Sequence, residues 1–307
     1  MRFLLLVYFF VFSMFAFSAN GAERRNFTVK SKDKFGIERE YLTGYVPPTL
    51  EEKLGRNYRE FPANKGAYAF KEIPKELDLR QYVQRIFRQR AGDCWAQANA
   101  TAFETTIAWV DKISTFVSRQ QIIDCSGYGS AANGGQISVG MYKKIGAAYE
   151  VEYPYVGRDQ KCKTNMPQHQ KAEDVFFMKD NDTVQDYQRA MLETQSAFEV
   201  CGASRALANG GWVTSNGGGG IDHCYGWAGW LDGESHGKPP GIYFIFPNSW
   251  GSDWGDNGFA YVRVAKDNIH FDGNVLVEGA GFNYKPACTP QPVADAGKEK
   301  SILLEAK

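Results

Sequence analysis

Hydrophobic and polar positions divide the chain into stretches of different texture. Behind Arg2 lies an apolar run from Phe3 to Phe17 that closes on the small residues Ser18, Ala19, Gly21 and Ala22. A positive start, an apolar stretch of about fifteen residues and a small-residue exit predict a secretory signal peptide over residues 1–21, since the run is short for a membrane anchor. Residues 22–72 are polar and weakly patterned, with prolines at 47, 48 and 62. They read as an exposed N-terminal arm or short pro-segment, with one helix expected near Thr49 to Arg59. Order sharpens at Ile73-Pro74. A helix is predicted from Gly92-Asp93 to about Val110, where Phe103, Ile107 and Val110 recur at helical spacing and Asp93 stands ready as cap. A second helix is expected over Gln136 to Ala148. A third runs from Thr183 to Glu193, with Val184, Tyr187, Met191 and Leu192 on one face and Thr183 as cap.

After Ser196 the period changes to two. His223 to Leu231, Gly241 to Phe246 and Gly258 to Val264 alternate as strands do. Helices early and strands late predict an α+β fold of two packed lobes over residues 73–285, with a cleft between them as the natural place for a site. Residues 286–307 carry Pro286, Pro290 and Pro292 and read as a tail or linker.

Composition narrows the function. The chain is 43% hydrophobic and 23% charged, which suits a globular protein. Lys+Arg and Asp+Glu both number 35, so no basic excess points to nucleic acid. No later run is apolar enough to span a membrane, so none is expected to hold the protein after signal cleavage. No His/Cys cluster has metal-ligand spacing, and no cofactor is implied.

The chemistry gathers at Cys94. A thiol at a helix start feels the positive end of the helix dipole, which favours the reactive thiolate. By itself, such a Cys is more often a small buried apolar residue. The rest of the chain changes that balance. Gln89 precedes Gly92-Asp93-Cys94-Trp95-Ala96. Ile122-Ile123-Asp124-Cys125-Ser126 leads to Asn133-Gly134-Gly135. Tyr153-Pro154-Tyr155, Asp222-His223 and Asn248-Ser249-Trp250-Gly251-Ser252-Asp253-Trp254-Gly255 follow in order. This series resembles the papain-like cysteine proteases, with Cys, His and Asn at about that family's separations.

The resemblance implies a papain-like fold, with a helical left lobe and a β-barrel-like right lobe, acting as a monomer on protein or peptide substrates. It implies that Cys94 is the nucleophile, His223 its acid–base partner and Asn248 the group that orients the imidazole. Gln89 and the backbone N–H of Cys94 would hold the oxyanion, and Trp250 would shield the His–Asn pair. Without the motifs, His223 would read as a strand histidine, Asn248 as a turn residue and Gln89 as an ordinary surface amide. Gly134, Gly135, Ile137, Ile221 and Cys224 fall at substrate-binding positions. Their apolar character predicts an apolar or aromatic P2 side chain.

The departures are informative. A family bridge just ahead of the nucleophile is missing at both ends, with Ala132 in one of the places. Cys125 and Cys162 match another family bridge. Cys201 and Cys224 fall on strands that neighbour one another in the family, and either bond or form two small apolar walls. Cys288 is the odd one in the tail. The Gln89–Cys94 separation is one residue short. Asp93, a carboxylate beside the nucleophile, is expected to be occupied as a helix cap; otherwise it would oppose the thiolate.

Overall fold

A computed structural model describes residues 27–60, 72–207, 209–214, 220–264 and 278–284. The expected signal peptide (1–21), the tail (286–307) and Cys288 lie outside these residues. The arm opens with a hairpin, β1 (Thr28–Lys32) and β2 (Glu38–Leu42), paired antiparallel. Its turn is organised by Asp33, whose Oδ1 accepts from the N–H groups of Phe35 (3.0 Å) and Ile37 (2.9 Å) while Oδ2 takes Nε of Arg39 (2.7 Å). A short helix α1 (Leu50–Leu54) follows, fixed by a capping box between Thr49 and Glu52. It is shorter than expected, and the hairpin ahead of it was not foreseen.

The helical lobe begins after β3 (Leu77–Asp78) with α2 (Cys94–Asp111). Almost all of α2 is buried, on every face, because the helix runs between the lobes and packs on strands of the other one. Its polar side chains are absorbed locally: the Thr101, Thr105 and Thr106 hydroxyls donate to carbonyls one turn earlier. The lobe continues with α3 (Arg119–Cys125), β4 (Gly129–Ser130), β5 (Gly134–Gly135) and α4 (Gly140–Lys144). The helix expected over 136–148 is thus reduced to a short one. Gly146 has φ of 97°, and Ala147 bridges to Gln170 instead of continuing the helix. Trp95, Phe103, Ile107 and Tyr142 centre this lobe's core.

The other lobe holds two sheets. The first has the order β6 (Ala172–Phe177), β13 (Glu278–Tyr284), β7 (Phe198–Gly202), β9 (His223–Trp227). The second has the order β3, β10 (Gly229–Asp232), β11 (Ile242–Pro247), β12 (Phe259–Val264), β8 (Gly211–Val213). Helix α5 (Val184–Thr194) closes one side. It is capped by Thr183 with Asp186 and buries Val184, Tyr187, Ala190 and Met191. Trp227, Trp230, Tyr243, Phe244 and Phe198 fill the core between. The chain passes from one sheet to the other at Gly229, where φ is 99° and a Cβ would lie 1.9 Å from the carbonyl oxygen of Leu77. Only glycine makes that step, and it sets His223 at the edge facing α2. The helical lobe packed on a sheet lobe is the expected α+β arrangement.

Candidate active site

Cys94 is the first residue of α2 and is fully buried. Its Sγ accepts from the backbone N–H of Cys224 at 3.4 Å, which brings the start of α2 against the start of β9. His223, also fully buried, opens that strand. Its Nε2 is 2.8 Å from Oδ1 of Asn248, while Nδ1 has no hydrogen-bond partner. Asn248 follows β11, and its Oδ1 also accepts from the N–H of Ser249. Trp250 stacks on the imidazole, with centroids 4.9 Å apart and planes 22° apart. The sequence motifs from three parts of the chain therefore converge on one spot.

Burial governs the electrostatics. It pushes the Cys94 thiol well above its ordinary value; the Cys224 N–H opposes this, and the charges of Asp93 and Asp222 add to it. Burial likewise pushes His223 down to about 4, against the Asn248 hydrogen bond and the Asp222 charge. In this covered arrangement both groups favour their neutral forms.

The cover is the arm. The N–H of Gly135 donates to Gly44 O (2.8 Å), and Val46 N–H donates to Gly135 O (2.8 Å), so Tyr45 forms a parallel bridge to Gly135. On the opposite wall, the N–H groups of Gly44 (3.2 Å) and Tyr45 (3.0 Å) both donate to Asp222 O. A Cβ on Gly44 would fall 2.2 Å from Gly92 O, two residues before Cys94. Nε2 of Gln89 donates to Thr43 O (3.1 Å) and Ala91 O (3.0 Å), while its Oε1 accepts from Ser249 Oγ (2.6 Å). Trp250 Nε1 donates to Leu42 O (2.7 Å), and Tyr41 stacks on the Trp250 ring from outside. The hairpin grips the next turn: Trp254 Nε1 donates to Ser31 Oγ (3.0 Å) and Lys34 N–H to Asp253 O (2.7 Å). With the arm in place the cleft is filled. A cavity of about 680 Å³ lies elsewhere, lined by Ile73, Pro74, Val184, Gln188 and Ile242 among others.

Tyr45 is buried and shares one apolar cluster with Ile137, Cys201 and Cys224, against which the half-buried Ile221 packs. Gly134 lies beneath the arm, its notional Cβ 2.4 Å from Gly44 O. Cys201 and Cys224 face each other across β7 and β9 and are bonded, which resolves the alternative left open by the sequence. Cys125 and Cys162 form the second disulfide. Among the described residues, the single His/Cys/acid group tight enough to share an ion is Glu199, Cys201 and Cys224, and its sulfurs are already bonded to each other.

One sequence expectation needs correction. Asp93 does not cap α2 with its side chain. Its ψ of 24° departs from the extended conformation that brings a capping carboxylate onto the first turn. Oδ2 instead accepts from Tyr155 Oη (2.7 Å) and Gln97 Nε2 (3.2 Å). The reading also missed the crossing of residues 42–46, for which Gly44 between Thr43 and Tyr45 was the available sign. It missed too the role of the Asp222 carbonyl as a wall of the cleft.

Comparison with known proteins places this geometry. Residues 73–277 match the family model described as papain family cysteine protease. A cathepsin L-like proteinase of Phaedon cochleariae is 31% identical over 217 residues, 65% of this chain and 63% of the relative. Peptidase 1 of Psoroptes ovis is 29% identical over 227 residues, 69% of this chain and 68% of the relative. Other curated relatives are spanned less completely, down to 40% of the Theileria annulata cysteine proteinase. Among solved structures, the digestive procathepsin L2 proteinase from Tenebrio molitor larval midgut superposes with a TM-score of 0.62 at 20% identity, covering 79% of this chain and 78% of that one. The Amb a 11 ragweed pollen cysteine protease in its proform gives 0.60 at 22% identity, covering 71% and 69%. These two likenesses establish the fold, and the family match extends over both lobes and every motif of the cleft: the chain belongs to the papain family of cysteine proteases.

Proposed function

We propose that this chain is the proform of a cysteine endopeptidase in which Cys94 attacks the scissile carbonyl. The observation that carries the reading is the main-chain clamp over Cys94: Gly135 on one wall and Asp222 O on the other hold an extended segment of the chain itself. A clamp that binds backbone from both sides takes peptides irrespective of most side chains. Residues 22–72 are the pro-segment in this reading. Residues 1–21 are a signal peptide that exports the chain, and residues 73–285 are the peptidase domain of a monomer.

When the arm leaves, water reaches the pair, and the desolvation that keeps both groups neutral is relieved. The Cys94 proton passes to Nδ1 of His223, the ring nitrogen left without a partner, and the thiolate attacks the carbonyl carbon. Nε2 of Gln89, released from Thr43 O, joins the Cys94 N–H in holding the oxyanion. His223 gives its proton to the leaving amine, then takes one from the water that releases the acyl group. Asn248 keeps the imidazole in the plane this needs, and Trp250 covers that hydrogen bond. The apolar cluster that takes up Tyr45 also contains Ile137 and Cys224, with Ile221 packed against it, and this supports a preference for apolar P2 side chains. Between Ser126 and Gly135 the chain makes only the short pair β4 and β5, so nothing there walls off the cleft for an exopeptidase.

The test is hydrolysis of casein and of fluorogenic peptides under reducing conditions by the full chain and by Cys94→Ala. Turnover lost in Cys94→Ala and best with apolar P2 supports the reading. Turnover that survives Cys94→Ala overturns it, and best turnover with a charged P2 overturns the pocket assignment.

A further inference from the structure

We propose that Asp93 is a positioning residue that sets the pH range of the nucleophile: protonated between Tyr155 and Gln97 it lets Cys94 ionise, and ionised it opposes the thiolate. The inference rests on reading Cys94 as the nucleophile.

Asp93 directly precedes Cys94 and is fully buried. Since its side chain does not cap α2, the helix end does not account for a carboxyl here. The hydrogen bonds from Tyr155 and Gln97 both fall on Oδ2, and Oδ1 is buried without a partner. A carboxylate with one oxygen desolvated and unsatisfied is the costlier form. Burial accordingly pushes this carboxyl up to about 6, against the lowering by Tyr155, Gln97 and the Arg119 charge.

The surroundings explain why the balance falls so close to neutrality. Tyr155, from the loop between α4 and β6, donates to Asp93 and takes the Arg90 N–H at 2.9 Å. Arg119 on α3 faces the site with one nitrogen 3.4 Å from Gln97 Oε1, but its opposite nitrogen is committed to Glu150 at 2.6 Å. The cation is thus largely neutralised before it reaches Asp93. On the far side, Cys94 meets the start of β9 through the Cys224 N–H, next to His223, and the Asp222 charge acts on it. Asp93 and Asp222 act on the thiol with the same sign, both raising it.

The sign follows. Below about pH 6 Asp93 is neutral and the thiolate carries no penalty from it. As pH rises through that value, a negative charge forms beside the sulfur. The fraction of Cys94 that is ionised with His223 protonated then falls earlier than loss of the imidazolium proton alone would dictate. The protease is therefore shifted toward acid.

The experiment uses the full chain, incubated until peptide hydrolysis reaches its plateau, with Asp93→Asn and Tyr155→Phe beside wild type. Two readouts are taken from pH 4 to 9: kcat/KM on a fluorogenic peptide, and the rate of Cys94 alkylation by iodoacetamide. Asn mimics the neutral acid in shape, so Asp93→Asn should match wild type at pH 5 and exceed it about tenfold at pH 7.5, the effect of one like charge. Tyr155→Phe removes a hydrogen bond that favours the carboxylate, and should move the upper limb the same way by less. An upper limb at the same pH in wild type and Asp93→Asn overturns the proposal, as does a uniform loss at every pH. Should Asp93→Asn not fold, Tyr155→Phe decides by the same criterion. An alkylation profile that moves in chains without peptidase activity removes the peptidase reading, and with it the role of Asp93 in catalysis, while leaving its effect on the Cys94 thiol standing. A profile that stays put in active chains removes this inference alone.

Discussion

Gly44→Ala should open the cleft without touching the peptidase lobes. The added Cβ would lie 2.2 Å from Gly92 O and 2.4 Å from Gly92 C, both backbone atoms that cannot swing aside. The backbone φ of 151° at Gly44 adds a conformation that alanine avoids. To relieve the clash, residues 42–46 must lift. They then give up hydrogen bonds to Gly135, Asp222 O, Gln89 Nε2 and Trp250 Nε1. At about 1 kcal/mol net for each, losing three to four of them costs about 3–4 kcal/mol, so the open fraction rises about 100- to 1000-fold. Gly36→Ala is the matched control. That residue also has positive φ (79°), yet a Cβ there meets nothing within 4 Å, so its cost is the left-handed penalty alone, about 1–2 kcal/mol. The assay is alkylation of Cys94 in the intact chain by iodoacetamide, followed by peptide mapping. Its rate tracks the open fraction while closing outpaces reaction. Circular dichroism melting confirms that the lobes stay folded. A Gly44→Ala rate equal to wild type, or below that of Gly36→Ala, would refute the claim that this strand seals the cysteine.

Further outcomes follow from the same contacts. Asn248→Ala strips the hydrogen bond that holds the His223 ring, so kcat should fall about 10- to 100-fold with little change in KM, read by steady-state kinetics. Burial works to raise the Asp33 carboxyl, but Arg39 and the N–H groups of Ile37 and Phe35 outweigh it and hold it below the ordinary range. A depressed carboxyl contributes stability above its unfolded pKa, and that stability is lost as pH falls through the folded value. Cys94 alkylation should therefore quicken below about pH 4 in wild type and lose that step in Asp33→Asn. Glu199 presents the opposite case, since burial pushes it up to about 8 against hydrogen bonds from Ser138 N–H and Asn99. A raised carboxyl favours the fold fully below its unfolded pKa and loses that advantage as pH rises through about 8. Glu199→Gln should thus raise Tm by several degrees at pH 8 and little at pH 4, measured by calorimetry.

What could be read from the sequence was what local chemistry dictates. Helix α5 announces itself by Thr183, Asp186 and a stripe of Val184, Tyr187 and Met191, all settled within one segment. The strand carrying His223 sets Tyr225 and Trp227 two apart toward the aromatic core, whereas the strand preceding Asn248 is an unbroken apolar run, Tyr243 to Phe246, all of which belongs to that core. Hairpin β1–β2 offers no such sign. Its sequences TVKSK and EREYL are polar on both faces, and Tyr41 and Ser31 are its buried positions. Its order comes from docking on Trp250 and Trp254, more than two hundred residues away in the chain. The Cys201–Cys224 bond was likewise invisible, since it depends on the register that sets those residues opposite each other. Asp93 was misassigned for a related reason. Its residue type favours capping, but its partner Tyr155 comes from a distant loop and overrides the local preference.

The arm does more than occupy space. An obstruction alone would leave the thiol and imidazole free to exchange a proton beneath it. Here the same residues that block the cleft also dry it: Leu42 O and Tyr41 close over Trp250, Thr43 O takes the Gln89 amide, and Gly44 presses on Gly92. Dry surroundings push the thiol up and the imidazole down, away from each other's proton-transfer range. Burial in the covered arrangement thus favours an uncharged Cys94 and an uncharged His223, and in the proposed function departure of the arm would supply both access and charge in one event. In the proposed function the oxyanion position is treated in the same way, because the Gln89 amide that would stabilise developing charge is held on Thr43 O while the arm is docked. A chain whose cysteine became reactive with the arm still docked would contradict this coupling. Titration of the Cys94 thiolate by its ultraviolet absorbance, in wild type and in Gly44→Ala, reads it directly. The thiolate should appear at lower pH in the variant.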